Sequence, residues 1–312
     1  MSTEEKKNFQ IFQDSKYPED EQQVSEVIKE LYKKNLPIEL VGTDTKNFIG
    51  NKIQSANKLN LSKLSGIIEY LPEELYIKVK ASTPLELIEK ELEKKNQELA
   101  FEPLDFGFII NSSTNKGTIG GCLSCNFAGS RRFKVGSVRD HILGFRAVNG
   151  KGDVIKSGGK VVKNVTGYDL SKLVAGSFGT LVALTEITLK VLPKKKLSTT
   201  ITIHTEDKKL VSELFNKIAN SSSEISAAVY VPDEPEDESY TFNKEKIFKF
   251  NDLESKGSFL AFRVEGNKVS IDEKIKQLSK ELELNNLNTS ILDVYQSIPF
   301  WKRINNLELF SS

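Results

Sequence analysis

The sequence contains few of the side chains that most often bind metals or move protons. Its 312 residues include two histidines, His141 and His204, and two cysteines, Cys122 and Cys125. The histidines do not lie at metal-ligand spacing and the C-x-x-C pair has no second pair, so we predict no metal site. Two cysteines in a chain of this length indicate a reducing compartment, and we expect both thiols to be chemically quiet.

Net charge and long apolar runs are also lacking. Lys and Arg number 44 against 43 Asp and Glu, and the resulting charge of +1 gives no support to nucleic-acid binding. No run of about 18 apolar residues is present, which predicts that no segment spans a membrane. The polar start of the chain is not followed by an apolar segment, which argues against a secretory signal and predicts a cytoplasmic protein. No G-x-S-x-G motif is present, which argues against a hydrolase.

Hydrophobic periodicity divides the chain into a short leader, residues 1–16, and two larger parts. For the first part, residues 17–193, the pattern predicts helices over 20–35, 84–96 and 169–175, and strands near 38–41, 66–70, 76–81, 142–149, 154–157 and 182–192. Gly150–Asp153 is a hairpin signal between two of these strands.

For the second part, residues 197–312, the pattern predicts strands at 200–204, 225–231, 259–264 and 289–294, and helices at 208–220 and 269–282. With a further short strand at 247–250 set aside, the order is β-α-β-β-α-β. This order is typical of the ferredoxin-like arrangement.

Glycines are concentrated between residues 117 and 193, in Gly117–Gly121, Gly158–Asp169 and Gly176–Thr180. Because glycine allows positive φ and close backbone approach, this pattern favours a backbone that follows an extended cofactor. The loop Gly42–Lys46 follows a strand and offers N–H groups and hydroxyls together, which suits phosphate oxygens. It is neither a Walker A loop nor G-x-G-x-x-G.

Two other features have a functional and a structural interpretation. Arg131 and Arg132 are paired guanidiniums that suit phosphate or carboxylate, or else they form a surface pair. His141 follows Arg139 and Asp140 and is a candidate for a place near a cofactor, whereas His204 ends a strand and is interpreted as structural.

Nearly the whole chain resembles the FAD-binding subunits of bacterial glycolate oxidase, within the vanillyl-alcohol-oxidase-like flavoproteins. The resemblance is specific in residues 117–193 and weak in 205–258. The matching residues are Gly42–Lys46, Phe101–Pro103, Thr118–Gly121, Gly129–Arg132, Val138–Asp140, Gly158–Asp169, Gly176–Thr180, Leu189–Pro193, Phe262–Gly266 and Trp301–Lys302.

The resemblance implies an α+β, PCMH-type FAD-binding fold with two α/β subdomains, 17–75 and 76–193, followed by a smaller ferredoxin-like cap, 197–312. It implies FAD as cofactor, with the diphosphate at loop 42–46 and turn 118–121. The positions implied for cofactor binding are Gly42, Thr43, Asp44, Thr45, Lys46, Pro103, Thr118, Ile119, Gly120, Gly121, Ser124, Asn126, Arg132, Asp140, Lys163, Asn164, Gly167, Tyr168, Gly179 and Ala183.

The chain also departs from the pattern of its relatives. Family members that attach FAD covalently often use a histidine in the first glycine loop, and Gly42–Lys46 has none, so we predict non-covalent FAD. Catalytic subunits of related dehydrogenases carry a His-rich site in the cap, whereas this sequence has no histidine after His204. No catalytic residue is therefore assigned. The chain stops soon after the Trp301–Lys302 motif, which is consistent with a short form.

These features favour the FAD-binding subunit of a multi-subunit glycolate oxidase, oxidising glycolate to glyoxylate with a catalytic flavoprotein subunit and an iron–sulfur subunit. Such partners would place a cytoplasmic protein at the periphery of the inner membrane. The first alternative is a self-sufficient FAD-dependent dehydrogenase of D-2-hydroxy acids. The second is a non-catalytic assembly subunit.

Overall fold

The computed structural model describes residues 15–51, 53, 55, 57–107, 110, 117–159, 167–233 and 257–308. The described strands are β1 (Glu39–Val41), β2 (Lys58–Asn60), β3 (Ile67–Leu71), β4 (Tyr76–Lys80), β5 (Gln97–Glu98), β6 (Ile142–Asn149), β7 (Val154–Gly158), β8 (Val182–Lys190), β9 (Leu192–Pro193), β10 (Leu197–His204), β11 (Ala227–Val231), β12 (Phe259–Gly266) and β13 (Thr289–Leu292). The described α-helices are α1 (Glu21–Lys33), α2 (Leu85–Glu93), α3 (Ile119–Cys125), α4 (Arg132–Val135), α5 (Val138–His141), α6 (Leu170–Val174), α7 (Lys208–Asn220), α8 (Lys268–Glu281) and α9 (Val294–Asn305).

These elements cluster into two compact units that alternate along the chain. The first unit draws on Met1–Lys95, Asn115–Phe127 and Val138–Val191, and the second draws on Asn96–Thr114, Ala128–Ser137 and Leu192–Ser312. Two segments inside the predicted domain 17–193 therefore group with the second unit. Local sequence pattern could not show this, because the grouping depends on long-range contacts. The predicted domain limits stay a prediction.

The first unit is built on a five-stranded antiparallel sheet with the spatial order β3-β4-β8-β6-β7. The predicted hairpin across Gly150–Asp153 is confirmed, since β6 pairs with β7 in antiparallel register. β3 pairs with β4, so the predicted subdomain limit between residues 75 and 76 falls inside one pair of neighbouring strands. A separate parallel pair, β1 and β2, precedes the sheet.

Helix α1 packs into the core of the first unit. Asp20 caps its start by accepting a hydrogen bond from Gln23 N at 2.8 Å. Val24 and Ile28 lie one turn apart on its buried face and pack in a core cluster that also contains Leu59, Leu61, Leu64, Val148 and Ala183. This packing anchors β2, the partner of β1, to the core.

The second unit contains the predicted ferredoxin-like sheet, with all described neighbours antiparallel and the order β11-β12-β10-β13. Alternate residues of β12 point to opposite faces, as the strand period of two requires. Leu260 and Phe262 pack with residues of α7 and α8, whereas Phe259 and Ala261 pack with α9. The predicted α+β fold class is confirmed, and the predicted strand at 247–250 lies outside the described residues.

Sequence reasoning missed helix α9. Its start carries a capping box, in which Asp293 Oδ1 accepts a hydrogen bond from Gln296 N and Gln296 Oε1 accepts one from Asp293 N. This signal could have identified the helix, although Pro299 inside it argues against a helix in any periodicity-based prediction. Trp301 of α9 is buried and donates from Nε1 to Thr200 Oγ1 at 2.7 Å.

A cluster of five charged side chains is largely buried in the second unit. Arg131 donates to Glu265 from two nitrogens, at 2.9 and 2.5 Å, and to Glu98 at 2.7 Å. Arg263 donates to both carboxylate oxygens of Glu102, at 2.8 and 3.1 Å. Three carboxylates thus share two guanidiniums, and the charge does not balance within the cluster.

Burial raises the pKa of Glu98 above its ordinary value, against the opposing effect of Arg131. Burial acts in the same direction on Glu265, but the hydrogen bond from Arg131 and the charges of Arg263 and Arg131 outweigh it and hold its pKa below the ordinary value. The two carboxyls therefore contribute to stability with opposite dependence on pH.

We predict opposite pH trends for Glu98→Gln and Glu265→Gln. Glu265 stabilises the fold above its ordinary pKa of about 4.3, so Glu265→Gln lowers the free energy of unfolding at pH 7, and less so as the pH falls. Glu98 ionises more readily in the unfolded chain, so Glu98→Gln raises the free energy of unfolding at pH 7, and the gain disappears in acid. Urea unfolding at about pH 3 and at pH 7.5 measures both trends, and parallel trends would contradict this account of the cluster.

Among the described residues, every helix is too short or too polar to cross a membrane.

Candidate functional site

Two of the predicted cofactor-binding segments meet in the first unit. The loop 42–46 follows β1, and a Cβ atom built on Gly42 would lie 3.5 Å from Thr118 Oγ1. Thr118 is the N-cap of α3, the helix that contains Gly120 and Gly121. The structure thus places loop 42–46 against the first turn of α3, although the two segments are far apart in sequence.

The start of α3 is fixed by hydrogen bonds on both sides. Thr118 Oγ1 accepts from Gly121 N at 3.2 Å, as a threonine cap does. Ile119 N donates to Thr83 O at 3.1 Å, which ties the helix to the end of β4. The first turn of α3 is therefore held in place before any ligand binds.

A close contact between the backbones of α3 and the end of β4 requires glycine at position 120. Its N–H donates to Ala81 O at 2.7 Å, and a Cβ atom built on Gly120 would lie only 2.6 Å from that oxygen. Neither Gly120 nor Gly121 has φ in the left-handed region, so positive φ does not explain glycine at these positions. Backbone contact with the end of β4 is the physical reason for glycine at position 120.

Lys46 brings a positive charge to this turn. Its Nζ donates to Thr45 Oγ1 at 3.2 Å. Cβ atoms built on Gly121 and Gly117 would lie 3.6 and 3.8 Å from the same Nζ. An ammonium group, the Thr118 hydroxyl and the N-terminal turn of a helix all favour an anion, and a phosphate group has the matching chemistry.

The two cysteines of α3 lie next to this site without reactive thiols. Burial raises the pKa of Cys122 to about 12, and burial also raises the pKa of Cys125, in both cases against the effect of nearby Lys46. Both thiols are therefore protonated at neutral pH, as the expectation of quiet cysteines requires.

The end of α3 is joined to the glycine-containing loop before β8. Ser124 O accepts from Phe178 N at 2.8 Å, and Asn126, with φ 54°, caps the helix. The Oδ1 atom of Asn126 accepts from Arg139 N at 3.2 Å, which links α3 to α5. Two further predicted positions are therefore close in sequence and structure to turn 118–121, because Ser124 lies on α3 and Asn126 caps its end.

The remaining predicted positions of the first unit differ in exposure. Asp140 is exposed on α5, and Tyr168 is 92% exposed beside Gly167, whose φ is 80°. Gly179 also has positive φ, at 73°. Ala183 is 2% exposed and lies in the core cluster. Lys163 and Asn164 lie outside the described residues.

Pro103 and Arg132 belong to the second unit. The interpretation of Arg131 and Arg132 as a ligand-binding pair is wrong for Arg131, because this side chain is 8% exposed and bound to Glu98 and Glu265. Its guanidinium does bind carboxylates, but they are those of the chain itself. Arg132 is exposed and makes no ion pair with any residue that the structure describes.

Ser82 also lies beside loop 42–46, and the sequence analysis did not select it. This side chain is 6% exposed at the end of β4, and a Cβ atom built on Gly42 would lie 4.0 Å from its Oγ. The adjacent hydroxyl residues Ser82 and Thr83 before Pro84 were the available signal, but hydroxyls at strand ends are too common to select them.

Neither histidine is assigned as the group that accepts a proton from a substrate. His141 is buried at the end of α5, and His204 packs against the ring of Phe259, with centroids 6.2 Å apart. The structural interpretation of His204 agrees with this contact. Within the described part of the chain, no group of three or more His, Cys, Asp or Glu side chains could hold a metal ion.

Residues 16–158 match a family model described as "FAD binding domain". This region contains loop 42–46, with Lys46, and the first turn of α3. The residues with anion-binding geometry therefore lie inside the matched region. This match, over somewhat less than half of the chain, confirms FAD as the predicted cofactor.

The chain is similar to subunits of glycolate oxidase. It is 40% identical over 177 residues to glycolate oxidase subunit GlcE of Escherichia coli (strain K12), covering 57% of this chain and 48% of that protein. It is 40% identical over 124 residues to glycolate oxidase subunit GlcD of Bacillus subtilis (strain 168), covering 39% of this chain and 24% of that protein. The predicted resemblance is confirmed, and the match spans about half or less of the length of these relatives.

The fold is shared with a solved structure of low sequence identity. The structure of p-cresol methylhydroxylase with substrate bound matches with a TM-score of 0.68 at 14% identity, covering 95% of this chain and 63% of that one. This likeness establishes the predicted PCMH-type fold.

We predict that Lys46→Gln weakens FAD binding by about 10-fold while the fold is kept, because the ammonium group is lost and a polar side chain of similar length remains. Lys63→Gln is the matched control, since Lys63 forms a half-exposed ion pair with Glu19, away from loop 42–46 in sequence. Titration of apoprotein with FAD, followed by flavin fluorescence, measures the affinity. Equal affinity of the two variants would show that Lys46 does not contact the cofactor.

We predict different results for alanine at the two neighbouring glycines. Gly120→Ala places Cβ against Ala81 O and lowers the free energy of unfolding by roughly 1–3 kcal/mol. Gly121→Ala is tolerated by the fold, because the nearest atoms to its Cβ are Thr118 Oγ1 at 3.3 Å and Lys46 Nζ at 3.6 Å. Thermal unfolding of the apoproteins measures both, and a Gly120→Ala protein as stable as wild type would contradict the close approach.

Proposed function

We propose that this chain is the FAD-binding subunit of a multi-subunit glycolate oxidase, which oxidises glycolate to glyoxylate with a catalytic flavoprotein subunit and an iron–sulfur subunit. The observation that carries the proposal is the position of Lys46 over the first turn of α3, beside loop 42–46, within the region that matches the FAD binding domain. The 40% identity to a glycolate oxidase subunit supports the assignment to glycolate.

The residues of the chain have distinct proposed roles. Lys46 and Thr118 would bind the diphosphate of FAD, and Gly120 would keep the first turn of α3 in place beside it. Ser124, Asn126 and the residues near Tyr168 and Gly179 would contact the rest of the cofactor. Lys163 and Asn164 are proposed contacts on the resemblance alone.

When bound, FAD supplies an acceptor for the hydride that leaves the α-carbon of a 2-hydroxy acid. The same oxidation needs a group that takes the hydroxyl proton. The sequence has no histidine after His204, and His204 lies against Phe259. We therefore assign the proton-accepting group to the catalytic partner subunit. This assignment also explains why a chain that binds flavin would work within a complex. In this proposal the complex is cytoplasmic and is held at the inner membrane by its partner subunits.

We predict that FAD is bound without a covalent link, because loop 42–46 contains no histidine that could attach it. Acid precipitation of the purified holoprotein then releases yellow flavin into the supernatant, where absorbance at visible wavelengths measures it. Flavin that remains with the precipitated protein would contradict the prediction.

The isolated chain is expected to oxidise glycolate poorly. Anaerobic mixing of the FAD-loaded chain with glycolate, and separately with D-lactate, tests this through the visible flavin band. The band stays oxidised with the chain alone and bleaches when the catalytic subunit is added. Rapid bleaching by either acid without a partner would favour a self-sufficient dehydrogenase of D-2-hydroxy acids. A purified chain that binds no FAD would favour an assembly subunit.

A further inference from the structure

Ser82 lies directly after β4, between two residues that bind the first turn of α3. On one side, Ala81 O accepts a hydrogen bond from Gly120 N at 2.7 Å. On the other side, Thr83 O accepts one from Ile119 N at 3.1 Å. The position of Ser82 relative to this turn is therefore fixed by backbone hydrogen bonds on both sides.

The hydroxyl of Ser82 has no partner within the described part of the chain, although the residue is only 6% exposed. The neighbouring Thr83 differs, because its hydroxyl donates to Lys80 O at 2.6 Å. Polar side chains that are buried to this degree are normally hydrogen-bonded. A hydroxyl that the chain itself leaves unsatisfied is available to a ligand.

The Ser82 hydroxyl faces a small space beside Gly42. A Cβ atom built on Gly42 would lie 3.5 Å from Thr118 Oγ1 and 4.0 Å from Ser82 Oγ, and among the described residues outside its chain neighbours no other atom lies within 4 Å. Gly42 does not have φ in the left-handed region. Neither steric contact nor backbone conformation therefore requires glycine at position 42, and the space is open to a ligand atom.

The groups around this space suit a phosphate oxygen. The hydroxyls of Ser82 and Thr118 lie within 4.0 Å of one point in it, and a hydroxyl can donate one hydrogen bond. Lys46 adds a positive charge nearby, since a Cβ atom built on Gly121 would lie 3.3 Å from Thr118 Oγ1 and 3.6 Å from Lys46 Nζ. Hydrogen bonds to a charged oxygen are stronger than those between neutral groups.

We propose that Ser82 is a further residue that binds the diphosphate of FAD, through a hydrogen bond from its hydroxyl to a phosphate oxygen in the space beside Gly42. The inference rests on the proposed function, since FAD is the ligand in question. Ser82, Gly42, Thr118 and Lys46 all belong to the first unit and to the region that matches the FAD binding domain.

The test compares Ser82→Ala with Ser223→Ala. Ser223 is the matched control, because it is 2% exposed, its hydroxyl also has no hydrogen bond, and it belongs to the second unit. Neither change removes a hydrogen bond within the described part of the chain, so urea unfolding of the apoproteins shows no loss of stability in either variant.

Titration of the apoproteins with FAD, followed by flavin fluorescence, separates the two serines. Ser82→Ala binds FAD about 10-fold more weakly than wild type, because a hydrogen bond to a charged group is lost. Ser223→Ala binds FAD with wild-type affinity. Unchanged affinity in Ser82→Ala would overturn the inference.

Gly42→Ala tests the same space from its other side, and it decides the question if Ser82→Ala does not fold. The added methyl group has room in the apoprotein, since its nearest atoms lie at 3.5 and 4.0 Å, so stability is kept. The methyl group fills the space proposed for the phosphate oxygen, so FAD binding weakens by about 10-fold or more. Wild-type affinity in Gly42→Ala would also overturn the inference.

Failure of this inference differs from failure of the proposed function. If the wild-type chain binds FAD and Ser82→Ala binds it equally well, only the role of Ser82 is refuted. A wild-type chain that binds no FAD would refute the proposed function itself, and this inference with it.

Discussion

The backbone of α3 approaches the end of β4 so closely at Gly120 that a Cβ atom has no room. Because the N–H of Gly120 donates to Ala81 O at 2.7 Å, the first turn of α3 has one position relative to the central sheet of the first unit. Thr118 and Lys46 take their places from that turn, the first as its cap and the second as the cation above it. The anion-binding geometry therefore depends on a contact between two stretches of backbone.

The second unit depends on a different kind of interaction. Buried charges of Arg131, Arg263, Glu98, Glu102 and Glu265 connect the turns at 101–103 and 129–132 to the sheet strand β12. Removing a guanidinium from such a cluster leaves buried carboxylates uncompensated, so the cluster specifies one arrangement of these turns more than it adds stability. Glu102, Arg131, Arg263 and Glu265 lie in sequence motifs that carry the resemblance. The structure explains these residues as partners in one buried charge cluster.

Much of the fold followed from the sequence, because its elements have strong local signals. The hairpin across Gly150–Asp153 and the ferredoxin-like order of the second unit were predicted from alternation and turn residues. The capped helix α9 was missed because Pro299 interrupts its pattern. The burial of Arg131 and the grouping of 96–114 and 128–137 with the second unit could not be predicted, since they depend on contacts with residues far along the chain. For the site, the segments were predicted through the resemblance, but the reason for Gly120 required the position of Ala81.

The most direct test of the account is a crystal structure of this chain with FAD bound. The account predicts diphosphate oxygens at hydrogen-bond distance, about 2.7–3.2 Å, from Lys46 Nζ and from the backbone N–H groups of the first turn of α3. A diphosphate bound elsewhere, with Lys46 exposed to solvent and the first turn of α3 free of ligand, would contradict it.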